Sequence, residues 1–440
     1  METIFLVISK YIISFIMTLY AFSCYNVFRY KTEEERKHVY IRQNMYMVII
    51  YCLSFLALTL KFKEFKYIVF FIVSILFLIS VIIVSKIIYK RVNRLILNNM
   101  CMLLSIGYII IARISFDKAI RQLVISMLAI IVTSFIPYII TKGPFFSKLK
   151  WTYAITGIIA LSLVLIFSVA TNGAKISITL FNVTFQPSEF VKIIFVFAVA
   201  GFFSKAKDLI DIVIITSIAA AHVLILVISK DLGGAIILFV IYICVMYVAT
   251  KNVLYLSAGV ILCAIGSVAG YIMFSHVRVR VNAFINPFDA IDNAGYQMAQ
   301  SLFAIGTGGF FGMGIGGGMP KTIPVVAADF IYSAISEEFG SFFGICLIMV
   351  CLSCFIMFMN IAMKFDNLFY KYVAVGLGIL YVFQVLLTIG GVTKFIPLTG
   401  VTLPLVSYGG TSVLVTVVMF AIIQGLYIGR NEKNIIKNQE

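Results

Sequence analysis

Apolar runs long enough to cross a hydrocarbon core of roughly 30 Å, about 20 residues each as helix, recur along this sequence from end to end. They fall at about 4–26, 43–60, 67–85, 97–112, 122–140, 151–170, 187–204, 209–228, 232–250, 253–275, 329–360, 368–392 and 402–427. Lipid offers no hydrogen-bonding partner, so each backbone N–H and C=O in such a run must be satisfied within it, and the run folds as a helix. The chain therefore reads as an all-α, polytopic integral membrane protein with about thirteen spans. Composition agrees: 62% of residues are hydrophobic and 12% charged, against roughly 45–50% and 25% in soluble domains.

Lysines and arginines left in short loops mark the cytoplasmic side. Assigning alternate loops to the two sides puts 20 of them on one side and 12 on the other, leaving only Lys10 and Lys192 inside apolar spans. The bias predicts an outer N-terminus, a cytoplasmic C-terminus and an outer position for residues 276–328. The net charge of +16 is scattered through loops rather than gathered on one face, so it reads as a topology signal and not as a nucleic-acid surface. Met1 to Tyr20 lacks a basic leader and a small-residue cleavage site, so the first helix is expected to stay. All eight cysteines lie in apolar helices, where packing is the expected role, the Cys351-x-x-Cys354 pair included.

No internal repeat or low-complexity stretch is evident. Residues 1–95 are three helices with basic turns and almost no Gly or Pro. Polar groups at membrane depth are costly and are kept where they pair or line a cavity. Four places qualify. Gln186-Pro187-Ser188-Glu189-Phe190-Val191-Lys192 opens a helix, with Pro187 suited to its first turn and Glu189 and Lys192 on one face. It reads as a capped helix with an internal ion pair, or as a lining for an anionic head with Lys192 as the cation. Asp231, in a tight turn before Gly233-Gly234, reads as a cap or as part of the same outer cavity. The long 276–328 loop opens with Arg278-Val279-Arg280, which share a side only if extended. It becomes glycine-rich between Gly306 and Gly318, as a backbone that approaches a ligand or as a flexible connection. Finally, Asp329 stands at a helix mouth, as a cap or a functional carboxylate. On an ideal helix Glu337 alone of Glu337-Glu338 looks toward the same cavity.

The sequence holds no GxxxxGK[ST], no HExxH and no GxSxG. Nucleotide, built-in zinc and covalent acyl chemistry therefore lack support.

Together these segments resemble the SEDS family of bacterial cell-wall membrane proteins, which includes RodA, FtsW and SpoVE. The likeness is carried by Phe185-Gln186-Pro187-Ser188-Glu189 with Lys192, Asp231-Leu232-Gly233 and Arg278-x-Arg280-Val281. It continues through Gly295-Tyr296-x-x-x-Gln300-Ser301, Asp329-Phe330-Ile331, Glu337-Glu338-x-Gly340, Pro397-x-Thr399-Gly400 and Ser407-Tyr408-Gly409-Gly410. The resemblance covers roughly residues 97–427. It implies a core of ten helices over 96–428, an N-terminal extension over 1–95, a large outer loop over 276–328 and a cytoplasmic tail over 429–440.

The implied activity is peptidoglycan glycosyltransfer: polymerisation of lipid II at the outer face of the cytoplasmic membrane, beside a class B penicillin-binding protein. Asp329 matches the family's catalytic carboxylate, and Glu189, Lys192, Asp231, Arg278, Arg280, Gln300, Ser301, Glu337 and Ser407 are the expected substrate-binding positions. No cofactor is required, although a divalent cation is compatible with such a site. The chain departs from the family where Val325, Val326, Ala327 and Ala328 replace a usual carboxylate, His and Thr. It departs again at Ile176 and Ser177 after Gly173-Ala174-Lys175, and at Ser229 and Lys230. Two other readings fit the same helices: a lipid flippase, and an inactive scaffold for a penicillin-binding protein.

Overall fold

A computed structural model describes residues 2–168, 178–180, 183–289, 291 and 295–439. The segment Gly173–Ser177, with its departures from the family pattern, lies outside the described residues.

The extension comprises α1 (Glu2–Asn26), α2 (Glu33–Phe62) and α3 (Lys66–Ile88). There follow α4 (Arg94–Ile114), α5 (Phe116–Thr133), α6 (Ile136–Thr141) and α7 (Lys150–Phe167). A short antiparallel hairpin of β1 (Ile178–Leu180) and β2 (Val183–Phe185) pairs Ile178 with Phe185. Next come α8 (Pro187–Phe203), α9 (Leu209–Ile228), α10 (Leu232–Thr250) and α11 (Val253–Met273). The long connection contains α12 (Ser275–Ile285) and α13 (Tyr296–Gly308). The chain closes with α14 (Ile331–Phe339), α15 (Ser341–Met363), α16 (Leu368–Val392) and α17 (Gly410–Gln439). Among the described residues twelve spans are long and apolar enough to cross a membrane, and the 17-residue α8 runs alongside them.

Local chemistry sets many of the helix starts. Thr32 and Glu35 form a capping box that begins α2 ten residues before the apolar run expected from 43. Asn93, Asn252 and Asn367 cap α4, α11 and α16. The central helix α4 is buried along its whole span, and its polar side chains Asn98, Asn99 and Arg113 are each hydrogen-bonded to neighbouring elements. By contrast α11 is exposed along nearly all of its length and offers its Ile, Leu and Val side chains to lipid.

A buried polar network ties the extension to the core. Tyr20 donates to Asn99 Oδ1 at 3.0 Å, Asn99 Nδ2 donates to Ser353 at 2.8 Å, and Asn98 Nδ2 donates to Gln43 at 3.0 Å. The cysteines are all free, and Cys24 of α1 and Cys354 of α15 both meet Asn99 in this network.

Two expected spans are divided differently. The 329–360 run is two helices broken at Gly340, whose φ is 92°. A Cβ there would lie 2.4 Å from the backbone of Gly312 and Phe310, so only glycine allows the crossing. The last span starts at Gly410 rather than 402, because residues 397–409 form a non-helical strap.

Candidate active site

The strap organises one end of the bundle. Ser407 Oγ donates to the Ala328 carbonyl at 2.5 Å and accepts from Leu403 N–H at 3.0 Å, while Tyr408 N–H donates to Ala327 O at 2.7 Å. Gln122 on α5 donates to Ser407 O at 3.0 Å, and Thr388 on α16 donates to Val401 O at 2.9 Å. These bonds fix the backbone just before Asp329. Ser407 therefore ties the strap, by its own hydroxyl, to the residue that precedes Asp329.

Asp329 is not the cap of α14; Phe330 occupies that position, without a side-chain cap bond. The half-buried carboxylate accepts no hydrogen bond from the protein among the described residues. Burial raises its pKa above the ordinary value, and the Arg280 charge opposes that rise. Two tendencies compete at such a position, since a helix N-terminus stabilises the anion whereas desolvation penalises it. Here desolvation wins, which favours a base.

Arg280 stands opposite. Its guanidinium donates to the carbonyls of Leu398 and Thr399 at 3.5 and 3.3 Å. A Cβ built on Gly400 would lie 3.7 Å from Asp329 Oδ2 and 3.9 Å from Arg280 Nη2. The carboxylate and the guanidinium thus converge on one point without closing into an ion pair among the described residues. Gly400 has φ 74°, in the region that favours glycine.

Residues 278–280 lie in α12, and alternate residues of a helix point apart. Arg278 accordingly turns away, donating to Ile272 O at 2.9 Å and lying over the Tyr271 ring. It is removed from the group facing Asp329.

The other face of the strap meets α10. A Cβ on Gly233 would lie 3.1 Å from Thr399 O, the carbonyl that Arg280 binds. Two residues earlier Asp231 caps α10, accepting from Gly234 N–H at 2.8 Å. Its carboxyl is raised by burial, against the lowering effects of Gly234 N–H and Lys192. Glu189 and Lys192 form a buried ion pair at 2.6 Å on α8. The pair is internal to α8, one of the two readings of this segment, and the lysine's charge reaches Asp231. His276, at the start of α12, is held below its ordinary pKa by burial and by Arg280 and Lys230, a mark of positive potential at this end.

Three other expected positions lie elsewhere. Glu337 turns to the glycine-rich segment, where its Oε1 accepts from Met319 N–H at 2.7 Å. Ser301 is fully buried between Ser333 Oγ at 2.7 Å and Val392 O at 2.9 Å, as a tie between α13, α14 and α16. Gln300 is half-buried on α13 with no side-chain hydrogen bond among the described residues.

Several glycines of 306–318 are demanded by close backbone packing. Cβ atoms at Gly308 and Gly312 would fall 2.1 and 2.2 Å from the carbonyls of Ser336 and Glu338. Beneath them Arg113 pairs with the buried Glu338 at 2.8 Å and donates to Gly318 O at 3.0 Å. The extension braces the same segment: Lys10 donates to Gly312 O at 2.9 Å, and Tyr11 meets Phe311 with ring centroids 5.2 Å apart. Sequence reasoning missed this Arg113–Glu338 pair and Gln122. A charge or amide at the edge of an apolar run was the available signal for both.

Residues 92–432 match the FtsW/RodA/SpoVE family model, described as "Cell cycle protein". RodA of Mycobacterium tuberculosis, a peptidoglycan glycosyltransferase, is 37% identical over 268 residues, 57% of this chain and 57% of that protein. The stage V sporulation protein E of Bacillus subtilis is 31% identical over 312 residues, 68% of this chain and 83% of that protein. Among solved structures, a chain of a peptidoglycan synthase complex that coordinates polymerization and crosslinking superposes with TM-score 0.65 at 20% identity, covering 77% of this chain and 98% of that one. RodA of Thermus thermophilus superposes with TM-score 0.57 at 20% identity, covering 76% and 96%. The chain belongs to the FtsW/RodA/SpoVE family, the SEDS proteins, and has their polytopic all-α membrane fold. It spans 57% of the length of the mycobacterial relatives it matches.

Proposed function

We propose that the chain is a peptidoglycan glycosyltransferase that polymerises lipid II, with Asp329 as its general base. The observation that carries this reading is an unpaired, burial-raised carboxylate facing Arg280 across the point marked by Gly400. Asp329 takes the proton of the attacking sugar 4-hydroxyl. The freed oxygen bonds to the anomeric carbon of the growing strand, and the bond from that carbon to polyprenyl pyrophosphate breaks. Pyrophosphate leaves as a stable anion, so one carboxylate suffices where glycoside hydrolysis uses two. Arg280 and Lys192 supply the positive charge that meets the departing phosphate oxygens, with Ser407 tying the strap to the backbone before Asp329 and Asp231 capping the helix whose Gly233 packs on the strap.

In this reading the Asp329 end faces outward. Support comes from the opposite loops, which carry Lys142, Lys148, Lys150, Lys205, Lys207, Lys251, Lys364 and Lys371, the pattern expected of a cytoplasmic face. The partner is a class B penicillin-binding protein, in keeping with the synthase complex whose chain superposes on this one.

The test is polymerisation of lipid II by the purified chain with its transpeptidase. Asp329→Asn is expected to abolish glycan strands while membrane insertion and partner binding survive; strands made at the normal rate by that variant remove Asp329 from the reaction. Lipid scrambling in sealed vesicles without polymer identifies a flippase instead.

A further inference from the structure

The opposite end of the bundle carries a second polar site that the proposed reaction does not use. Arg430 lies 20 residues beyond Gly410 on α17, about 30 Å along the axis from the strap. There α6, the turn between α15 and α16, and α17 enclose a cleft of about 400 Å³ whose walls carry Lys142, Lys364 and Arg430 against a single carboxylate, Asp366. Among the described residues none of the three cations is in an ion pair. Lys142 rests 4.3 Å over the ring of Tyr138. Burial, then Arg430 and Arg36, hold the Lys364 ammonium below its ordinary pKa, as expected where positive charge is in surplus.

Next to this cleft, and sharing Ile140 with it, runs a groove of about 270 Å³ lined by Ile136, Ile139, Phe146, Ile193, Phe197 and Ile422. A charged head and an apolar tail are therefore accommodated side by side. Free phosphate matches only the cleft, and a sterol or zwitterionic lipid leaves the surplus cations unanswered. Basic pockets between transmembrane helices commonly take anionic headgroups.

We propose that the cleft and groove together bind an anionic glycerophospholipid from the leaflet remote from Asp329, its phosphate among Lys142, Lys364 and Arg430 and an acyl chain along Ile139 and Ile193. The site is built from α6, α8, the turn between α15 and α16, α16 and α17, so its occupant clamps α17, the helix that leads directly from the strap.

The test is lipid binding to the full chain in detergent, read by native mass spectrometry, which needs no enzymatic activity. The probes are phosphatidylglycerol, phosphatidylcholine, glycerol phosphate and a polyprenyl phosphate. Retention of phosphatidylglycerol over phosphatidylcholine is expected, falling roughly fivefold for each of Lys142→Gln, Lys364→Gln and Arg430→Gln and about a hundredfold for all three. Lys142 and Lys364 are exposed, so their single variants retain the fold should the triple variant lose it. Ile139→Trp, at a side chain 51% exposed, fills the groove and weakens the lipid alone. Equal retention of both phospholipids, unchanged binding in the cation variants, preference for the polyprenyl phosphate, or full competition by glycerol phosphate each overturns the proposal.

Discussion

Replacing Gly400 by alanine separates the space between Asp329 and Arg280 from the fold that frames it. At φ 74° an L-residue costs about 1–2 kcal/mol. The lower end is expected, because Val325, Lys394 and Leu405 already adopt φ of 55°, 57° and 65° in the same region. The new methyl meets no backbone: its nearest neighbours are Asp329 Oδ2 at 3.7 Å and Arg280 Nη2 at 3.9 Å, ordinary contact distances. Folding should thus survive with a small fall in Tm. The reaction should not, because the methyl occupies the position from which a sugar hydroxyl must come within about 3 Å of the carboxylate. A displacement of about 1 Å in such a geometry costs on the order of a hundredfold. Lipid II polymerisation by the purified variant with its transpeptidase, beside a thermal melt, measures both effects. Strand synthesis at the parental rate in a folded Gly400→Ala protein would refute a substrate position between these two side chains.

Two further substitutions probe the electrostatics. Arg280 lowers the Asp329 pKa against the larger raising effect of burial. Arg280→Gln is therefore expected to shift the acid limb of the rate–pH profile upward, since the base is active only when ionised, and to slow the reaction at every pH; a limb that stays put or moves down contradicts the pairing. Arg113→Met leaves Glu338, 1% exposed at its side chain, as an uncompensated buried charge and should cost about 3–5 kcal/mol. Adding Glu338→Gln should restore most of that loss in a thermal melt, and simple additivity of the two changes contradicts direct coupling.

The helices themselves were plain from the sequence, because lipid permits only one way to satisfy a long apolar backbone. What the sequence left hidden was decided by distant contacts. The run 329–360 is apolar across Phe339-Gly340-Ser341, and its break exists only because Gly312 and Phe310, some thirty residues earlier, occupy the space a Cβ would need. Arg278-Val279-Arg280 alternates as a strand would, yet folds as helix, which sends the two arginines to different partners. Of the polar positions singled out, Arg280 and Asp329 meet at Gly400 of the 397–409 strap, and Asp231, with the Glu189–Lys192 pair near it, lies on the helix that packs against the strap. Ser301 and Glu337 are spent on holding helices and the glycine-rich segment. Periodicity marks a polar residue as unusual for its depth; whether it meets a ligand or a neighbouring backbone group depends on chain tens of residues away.

The ammonium of Lys10 and the carbonyl of Gly312 are 302 positions apart, and that separation has a consequence for biogenesis. At typical synthesis speeds of roughly 5–20 residues per second, the first helix waits in the bilayer for about 15–60 s before the turn it steadies is made. The bundle thus becomes a finished machine only late in its own translation, and any delay in inserting the middle helices leaves that early lysine without its acceptor.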